Sequence, residues 1–398
     1  MIARERHAGM PVARSQATTH LIHLAFVLIG VVTTLLDPML PVLSNRWSLN
    51  DAQAGYLFTA QFIGSTLGVL LSGLAVHHWG YRSAIVSGMA AMAVGATILN
   101  SGLWALGLTA VFIYGIGLGL AIPACNLLTA EINPAERAAA LSWLNFSWGL
   151  GAAACGFAVR SAIGQNRTSF FLYALAAALL VVSACFFCSW VVLPAAPLPV
   201  KSIKGASVWR NPFVFALGSL FFLYVGSENS VGGWIATQAS RIQVSSGTLW
   251  ATTPSVFWGA LLAGRALATS VLRAFGDTRT AIGGLILSTL GLTGLLAAHT
   301  LTVLLISIVV IGLGLAPLFP IYISLLSQRF GDAAPRVGGL MFALAGLGGA
   351  ILPWTVGFAS TKFGGLRAGL VVPWAGCLTM LLLYAATKRS AASAAPTV

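Results

Sequence analysis

The feature that most constrains this chain is a succession of apolar runs, each about as long as a helix that crosses a lipid bilayer. Such a helix needs roughly 20 predominantly apolar residues. Charged residues make up 7% of the sequence and hydrophobic residues 58%, whereas a soluble domain carries about 25% charged residues. The sequence therefore predicts a helical integral membrane protein. We place twelve spans near residues 20–44, 52–76, 83–101, 104–130, 138–160, 168–193, 211–237, 250–272, 280–298, 301–327, 337–361 and 366–387.

The distribution of Lys and Arg predicts the orientation of these spans. If the N-terminus is cytoplasmic, cytoplasmic segments hold 14 of these residues and the opposite side holds 6. Cytoplasmic loops of membrane proteins carry such an excess, so we expect both termini in the cytoplasm and a location in the plasma membrane or bacterial inner membrane. Short separations at 101–104 and 298–301 leave ten or eleven spans open, although the charge bias favours an even number.

The chain repeats itself at an offset close to half its length. The string IGLGLA at 116–121 returns at 311–316, GLGAA at 149–153 returns as GLGGA at 346–350, and the turn at Gly80 returns at Gly276. Three matches in the same order indicate an internal repeat of six helices. We therefore expect an N-terminal bundle over 1–193, a cytoplasmic linker over 194–210, and a C-terminal bundle with a short tail over 211–398.

The loop after the second span carries the residues of a known signature. Gly73, Gly80 and Arg82 match the pattern of the major facilitator superfamily, while His77 stands where that family usually has Asp. A second copy runs from 264 to 279. The chain resembles this superfamily over nearly its whole length, which implies an all-α membrane fold of twelve helices in two pseudo-symmetric six-helix bundles. The resemblance assigns gating or conformational roles to Gly73, Gly80, Arg82, Arg265, Arg273, Gly276 and Arg279.

Three segments, 224–234, 257–265 and 339–354, resemble the fucose–proton symporter branch of that superfamily. This resemblance implies import of a sugar with a proton, or with sodium as in related members. In the branch, an acid at the position of Asp37 takes part in proton coupling. A second acid normally follows the glycine-rich start of helix four, where this chain has Ile122, so we expect Glu228 to be the second titrating group.

Three charged residues lie inside the predicted spans, namely Asp37, Glu228 and Arg265. An ionised side chain at the bilayer centre costs about 2.5–3.5 kcal/mol even on lenient insertion scales, so each should face a cavity or a partner. A rise of about 1.5 Å per residue puts both acids roughly 25 Å, and Arg265 roughly 12 Å, from the cytoplasmic helix ends. We therefore expect no direct Arg265–Glu228 pair and expect protons to neutralise both acids. In the alternative interpretation, Asp37 caps a helix broken near Pro38 and Pro41.

Polar and aromatic residues within the spans are candidates for contacts with a sugar. An amide hydrogen-bonds hydroxyl groups and an indole face stacks on a sugar ring, but amides also join helices and indoles also simply pack. The candidates for substrate binding are Gln61, Asn126, Asn145, Asn229, Trp234, Gln238, Trp258 and Trp354.

The remaining features narrow the function class. The C-x-x-C at Cys185 and Cys188 has no nearby His, so we expect no metal and no cofactor. The basic residues are scattered, which is against a nucleic-acid partner, and no nucleophile–base arrangement suggests an enzyme. We predict a monomeric, proton-coupled sugar symporter. A sodium-coupled or uncoupled sugar carrier, an efflux transporter of apolar compounds, and a non-transporting receptor are the alternatives.

Overall fold

The computed structural model describes residues 12–188, 212–242 and 247–393, and the regular structure in these ranges is helical. The predicted linker at 194–210 lies outside the described residues. Short 3-10 turns at Leu249–Thr252 and Gly331–Ala333 accompany the α-helices. These are α1 (Val12–Thr33), α2 (Leu36–Trp47), α3 (Asp51–Ile98), α4 (Trp104–Ile132), α5 (Arg137–Gly164), α6 (Thr168–Phe187), α7 (Pro212–Ile242), α8 (Thr253–Ala297), α9 (Leu301–Leu315), α10 (Leu318–Phe330), α11 (Ala334–Phe363) and α12 (Leu366–Ser393).

Helices α3 and α8 are each two antiparallel spans joined by a glycine turn. The backbone leaves the helical region at Gly80, with φ 79° and ψ 173°, and at Gly276, with φ 73° and ψ 165°. Only glycine adopts this conformation readily. Successive α3 residues before Gly80 contact α4 residues of increasing residue number, and those after Gly80 contact α4 residues of decreasing number. The chain must therefore reverse its direction at Gly80. The successive pairs are Gly64–Phe112, Gly68–Gly119, Gly88–Gly117 and Gly95–Ala110.

The first and tenth spans are interrupted helices. Helices α1 and α2 bend by 41° at a short break after Thr33, and α9 and α10 are separated at Ala316 and Pro317. Of the described helices, eight are long and apolar enough to cross a membrane, and the α1–α2 pair adds a ninth. The reversals within α3 and α8 add two, and α5, which is 28 residues long, completes the predicted twelve.

The two halves repeat one another in their packing. Gly88 of α3 meets Gly117 of α4, and the equivalent pair, Gly284 of α8 and Gly314 of α9, meets in the second half. Helices α1–α6 pack mainly among themselves and α7–α12 do the same, while α3 meets α11, α5 meets α8 and α2 meets α7 across the junction. The predicted fold of two pseudo-symmetric helical bundles is confirmed. The chain positions at which one bundle ends and the other begins stay predictions.

Candidate functional site

The junction between the bundles is closed at one end by a polar seam. We call this end the distal side, because it lies away from the described ends of α1 and α12. Asp51, at the start of α3, accepts two hydrogen bonds from Arg241 of α7, at 2.9 and 2.5 Å, and a third from the Ser360 hydroxyl of α11. The amide N–H of Ala52 donates to Thr361 Oγ1 at 2.9 Å. Three helix ends from both bundles are therefore fastened together on the distal side.

Contact between the bundles continues from this seam to mid-depth. Thr59 of α3 donates to the Ala350 carbonyl of α11 at 2.8 Å, and Thr66 lies beside Gly346. Helices α5 and α8 form a second contact between the bundles, in addition to that of α3 with α11. Nearer the termini, no comparable packing joins α4 to α10 or α11 in the described part of the chain. The cleft between the bundles is thus closed on the distal side and opens toward the termini.

Asp37 lies at this junction, in the first turn of α2. Its Oδ2 accepts a hydrogen bond from Trp258 Nε1 of α8 at 2.7 Å, and a Cβ added to Gly232 of α7 would lie 3.3 Å from the same oxygen. The residue is 6% exposed, and the described residues place no Lys or Arg in ion-pair contact with it. Asp37 lies in the first turn of α2, as the capping alternative expects, and that alternative stays open. The Asp37 carboxylate also joins this helix to the opposite bundle through an uncharged donor.

A small polar group holds the break that directs Asp37 toward the junction. The carbonyl of Thr33, at the end of α1, accepts a hydrogen bond from Gln61 Nε2 at 2.9 Å. The Tyr114 hydroxyl donates to Gln61 Oε1 at 3.2 Å, and Trp148 Nε1 donates to Thr33 Oγ1 at 3.3 Å. An interrupted helix exposes backbone carbonyls that must find donors inside a membrane. Gln61 thus supports the first span, and its predicted contact with substrate stays a prediction.

Glu228 is paired with Arg265, so the expectation that no such pair forms was wrong. Glu228 Oε1 lies 3.1 Å from Arg265 Nη2 and accepts from the Tyr224 hydroxyl at 2.7 Å. The eighth span was predicted to end at residue 272, but α8 stays helical as far as the reversal at Gly276, so the height of Arg265 was counted too low. Measured from Pro212 at the start of α7 and from the Gly276 reversal in α8, the two side chains differ by about 8 Å in height at 1.5 Å per residue. An extended Arg side chain spans most of that gap.

The Glu228–Arg265 pair reaches solvent through the arginine. The Arg265 side chain is 30% exposed and that of Glu228 is 9% exposed, while Tyr224 is fully buried. A guanidinium facing hydrocarbon is costly, so the exposed part of Arg265 faces the cleft. A ligand in the cleft would therefore meet the cation before it met the acid.

The other predicted amides differ in their exposure. Asn145 is exposed and Asn126 and Asn229 are half-buried; each donates from Nδ2 to a carbonyl one turn earlier, at 2.8 to 2.9 Å. These bonds use one of the two amide hydrogens. Gln238 is 4% exposed and lines a pocket on the distal side with Arg241, away from the three asparagines.

The predicted tryptophans lie within the junction. Trp234 has no exposed surface; it donates to the Pro353 carbonyl at 2.9 Å and its ring lies 6.0 Å from that of Phe58 in the opposite bundle. Trp354 stacks on Phe358 with ring centres 5.5 Å apart on the distal side. In this conformation both pack between the bundles, and stacking of either on a substrate stays a prediction.

The residues with predicted conformational roles lie in three kinds of position. Gly80 and Gly276 form the two reversals, and Arg265 lies in the cleft. The others lie on the terminal side, where the Tyr81 hydroxyl donates to Glu131 Oε1 at 2.7 Å and ties the α3 turn to the end of α4. Of these others, Gly73, Arg273 and Arg279 are exposed and Arg82 is half-buried.

Several residues of the site were missed in the sequence. Tyr224 was accessible to pattern analysis, because it precedes Glu228 by four residues and so shares its helix face. Tyr114 and Trp148 have no such signal, since their partners come from helices distant in the chain. The Asp51–Arg241 seam joins residues 190 positions apart. Within the described ranges, no three His, Cys, Asp or Glu side chains cluster as a metal site would need.

Comparisons with known proteins agree with this architecture. Residues 22–353 match the Major Facilitator Superfamily. A relative called a glucose/galactose transporter, from Brucella abortus (strain 2308), is 27% identical over 367 residues, covering 86% of this chain and 87% of the relative. A second relative, the human sodium-dependent glucose transporter 1, is 23% identical over 283 residues, covering 61% of this chain and 54% of the relative.

Solved structures show the same fold. The crystal structure of a D-xylose-proton symporter superimposes with a TM-score of 0.73 at 18% identity, covering 92% of this chain and 96% of that one. A bacterial homolog of the human lysosomal transporter Spinster, in an inward-facing and unoccupied conformation, gives a TM-score of 0.76 at 15% identity, covering 96% and 98%. With a family match over residues 22–353 and a fold shared with these solved structures, this chain belongs to the Major Facilitator Superfamily.

Proposed function

We propose that this protein is a secondary active transporter that carries a sugar across the membrane together with a proton. Membership of the family supports transport by alternating access, in which two bundles rock around a central site. The relative called a glucose/galactose transporter supports a hexose as substrate. The one observation that carries the proton link is a buried carboxylate, Asp37, at the junction of the bundles with no cation on it among the described residues.

In the proposed mechanism, Asp37 binds a proton from whichever side the cleft is open. A buried carboxylate without a cation is costly in its charged form, so the neutral acid favours the steps in which the junction is dehydrated. The sugar binds in the cleft, and Asn126, Asn145 and Asn229 are the amides we assign to its hydroxyl groups. Rocking of the bundles then exposes the sugar and the proton to the other side, where both leave.

Glu228 is our second candidate for the proton link. Arg265 neutralises it in the conformation described, so it can take up a proton only when a ligand or a helix movement draws the arginine away. An exposed guanidinium is also a strong donor to hydroxyl groups. We therefore propose that the Glu228–Arg265 pair contacts the sugar and that Asp37 comes first in proton binding.

We place the protein in the plasma membrane, or the inner membrane of a bacterium, with both termini in the cytoplasm. The excess of Lys and Arg on that side supports this orientation, under which the described conformation is open to the cytoplasm. A cysteine introduced at Lys201, which lies outside the described residues, should resist a membrane-impermeant reagent added to intact cells. Efficient labelling from outside would overturn the orientation.

The experiment that tests the function is uptake of labelled glucose and galactose into proteoliposomes. We expect accumulation when a pH gradient is imposed, and only equilibration under a sodium gradient or under no gradient. Asp37→Asn keeps the shape but fixes the neutral form, so it should still exchange sugar while losing accumulation. Glu136→Gln, at an exposed acid on the terminal side, is the matched control and should accumulate as the parent does.

The outcomes separate the alternatives. Accumulation driven by a sodium gradient would show that sodium, and not the proton, is the coupling ion. Equilibration of sugar without accumulation would indicate a uniporter. Export of apolar compounds without sugar uptake would favour the efflux transporter, and binding without any flux would favour a receptor. If Asp37→Asn still concentrates sugar, the proton link assigned here is wrong.

A further inference from the structure

We propose that the indole N–H of Trp258 is the positioning group through which proton binding at Asp37 changes the fit between the two bundles. This inference rests on the proposed proton coupling and adds to it a residue and a direction. The hydrogen bond from Trp258 to Asp37 crosses the junction, since α2 belongs to the first bundle and α8 to the second.

The surroundings of Trp258 leave its N–H little freedom to turn elsewhere. The residue is 3% exposed. Trp148 of α5 packs edge-on against its ring, with centres 5.6 Å apart, and Phe257 lies 5.1 Å away on the other side. A Cβ on Gly232 would lie 3.0 Å from the Trp258 ring and 3.3 Å from Asp37 Oδ2. The two polar groups are thus held against one another by apolar packing.

The chemistry of the two groups gives the link its direction. Indole only donates and an ionised carboxylate only accepts, and a hydrogen bond to an ionised acceptor is roughly twice as strong as a neutral one. A proton from water in the cleft that forms an O–H bond on Asp37 removes this strengthening, but it also removes the larger cost of burying a carboxylate without a cation. Protonated Asp37 therefore favours the distally closed conformation described here, ionised Asp37 favours distal opening, and the Trp258 N–H reduces the difference between them.

Few other groups can account for such a pH response. The titratable side chains that interact with Asp37 from the helices packed against it are Tyr114 of α4 and Cys155 of α5. On α7 and α8 the charged groups nearest in sequence to the contact are Glu228, one turn before Gly232, and Arg265, which are paired with each other. Asp37 is thus the acid of this group whose charge no cation compensates.

The test measures the distal opening directly. Nitroxide labels on cysteines introduced at Gln165 and Lys362, exposed distal positions in opposite bundles, report the opening as a distance distribution once exposed Cys185 and Cys188 are replaced by Ser. In the otherwise unchanged protein we expect the ratio of open to closed populations to fall about tenfold from alkaline to acidic pH, because protonation removes the cost of burying the charge.

Trp258→Phe keeps an aromatic ring and removes the N–H. We expect the change of its open-to-closed ratio with pH to grow several-fold, because no donor then offsets the buried charge, and we expect its accumulation of sugar under a pH gradient to fall several-fold while exchange continues. Phe257→Leu is the matched control, because it changes the apolar packing against the Trp258 ring without removing a hydrogen bond to Asp37; it should keep the parent's pH response. Gly232→Ala adds a methyl group against both the Trp258 ring and Asp37 Oδ2 and should change the response in the same direction as Trp258→Phe, which provides a second test if Trp258→Phe does not fold.

The results distinguish failure of this inference from failure of the proposed function on which it rests. If the parent shows no accumulation under a pH gradient, or Asp37→Asn retains it, the proposed proton coupling fails. If the parent is coupled through Asp37 but Trp258→Phe and Gly232→Ala both keep the parent's pH response, only the role of Trp258 fails. An equal change of the response in Trp258→Phe and Phe257→Leu would also overturn it, since packing rather than the N–H would then be responsible.

Discussion

Asp37 and Glu228 are buried acids on the corresponding first helices of the two bundles, yet they differ in the partners that compensate their charge. Asp37 follows a break between α1 and α2 and is bonded across the junction to an uncharged indole. Glu228 lies within the continuous α7 and is bonded inside its own bundle to Arg265 and Tyr224. One acid has its charge compensated by a cation and the other does not.

The difference shows how a repeat of one fold produces two distinct sites. A continuous helix keeps Glu228 on the same face as Tyr224, one turn before it, so a local pair is available. The break after Thr33 frees α2 to change direction by 41° and brings its first turn against α7 and α8. The interrupted first span thus carries an acid that bridges the two bundles, whereas the continuous α7 carries one that pairs within its own bundle.

Removing the cation of Glu228 tests the comparison with the largest expected effect. Arg265→Gln leaves an ionised, buried carboxylate unpaired, and breaking such a pair costs about 3 kcal/mol or more in the free energy of unfolding. We expect a clear fall in the apparent melting temperature of the purified protein in detergent. The double variant Arg265→Gln with Glu228→Gln should recover most of that loss. Equal stability of the single and double variants would mean that Glu228 is already neutral.

Neutralising Asp37 should behave in the opposite way. Asp37→Asn removes an uncompensated charge while its amide oxygen still accepts from Trp258, so we expect the apparent melting temperature to stay or rise. Asp37→Leu is the matched comparison, because it orphans the Trp258 N–H at a cost of about 1–3 kcal/mol. A fall for Asp37→Asn as large as that of Arg265→Gln would show that Asp37 has a charged partner after all.

The break that distinguishes the two helices can be weakened without touching either acid. Gln61→Leu removes the donor to the Thr33 carbonyl, and an unsatisfied buried acceptor costs about 1–2 kcal/mol. We expect lower thermal stability and an unchanged half-saturation constant for sugar. Gln165→Leu, at an exposed position, should change neither. A large loss of sugar affinity in Gln61→Leu would instead support the substrate contact predicted from the sequence.

The seam of the distal side should show the smallest effect on stability. Its Arg241 side chain is 44% exposed, and exposed ion pairs contribute about 0.2–1 kcal/mol. Asp51→Asn should leave the melting temperature nearly unchanged but raise the distally open population in the spin-label distances. High salt should reduce the difference between variant and parent, because it screens the pair. A salt-independent difference would assign the effect to the Ser360 bond.

The fold was readable from the sequence because it depends on features that are local or periodic. Apolar runs set the spans, and the matched glycines at Gly80 and Gly276 marked both the repeat and the reversals. Asp37, Glu228 and Arg265 were found by their charge alone, since hydrocarbon tolerates few charges.

The contacts of those residues were not readable. Counting residues along single helices gave the wrong result for the Arg265–Glu228 pair, because α8 continues past its predicted end at residue 272 to Gly276 and a long side chain covers the remaining distance. The bond between Asp37 and Trp258 depends on a bend and on the packing of two bundles, which no spacing in the chain encodes. Trp234 was predicted to stack on a sugar. The junction buries it completely in this conformation, and the stacking stays a prediction.

Helix α8 carries both Trp258 and Arg265, two turns apart and on one face. A single stiff rod therefore holds the partners of both acids, about 10 Å apart at 1.5 Å per residue. Any slide or rotation of that rod alters both contacts together, which makes the two sites thermodynamically linked. By reciprocity, a ligand that engages Arg265 and thereby shifts this helix must change the proton affinity of Asp37 by the same factor that the proton changes the ligand's affinity. The position of one helix would then couple the proton gradient to the sugar gradient, although the proton and the sugar never contact one another.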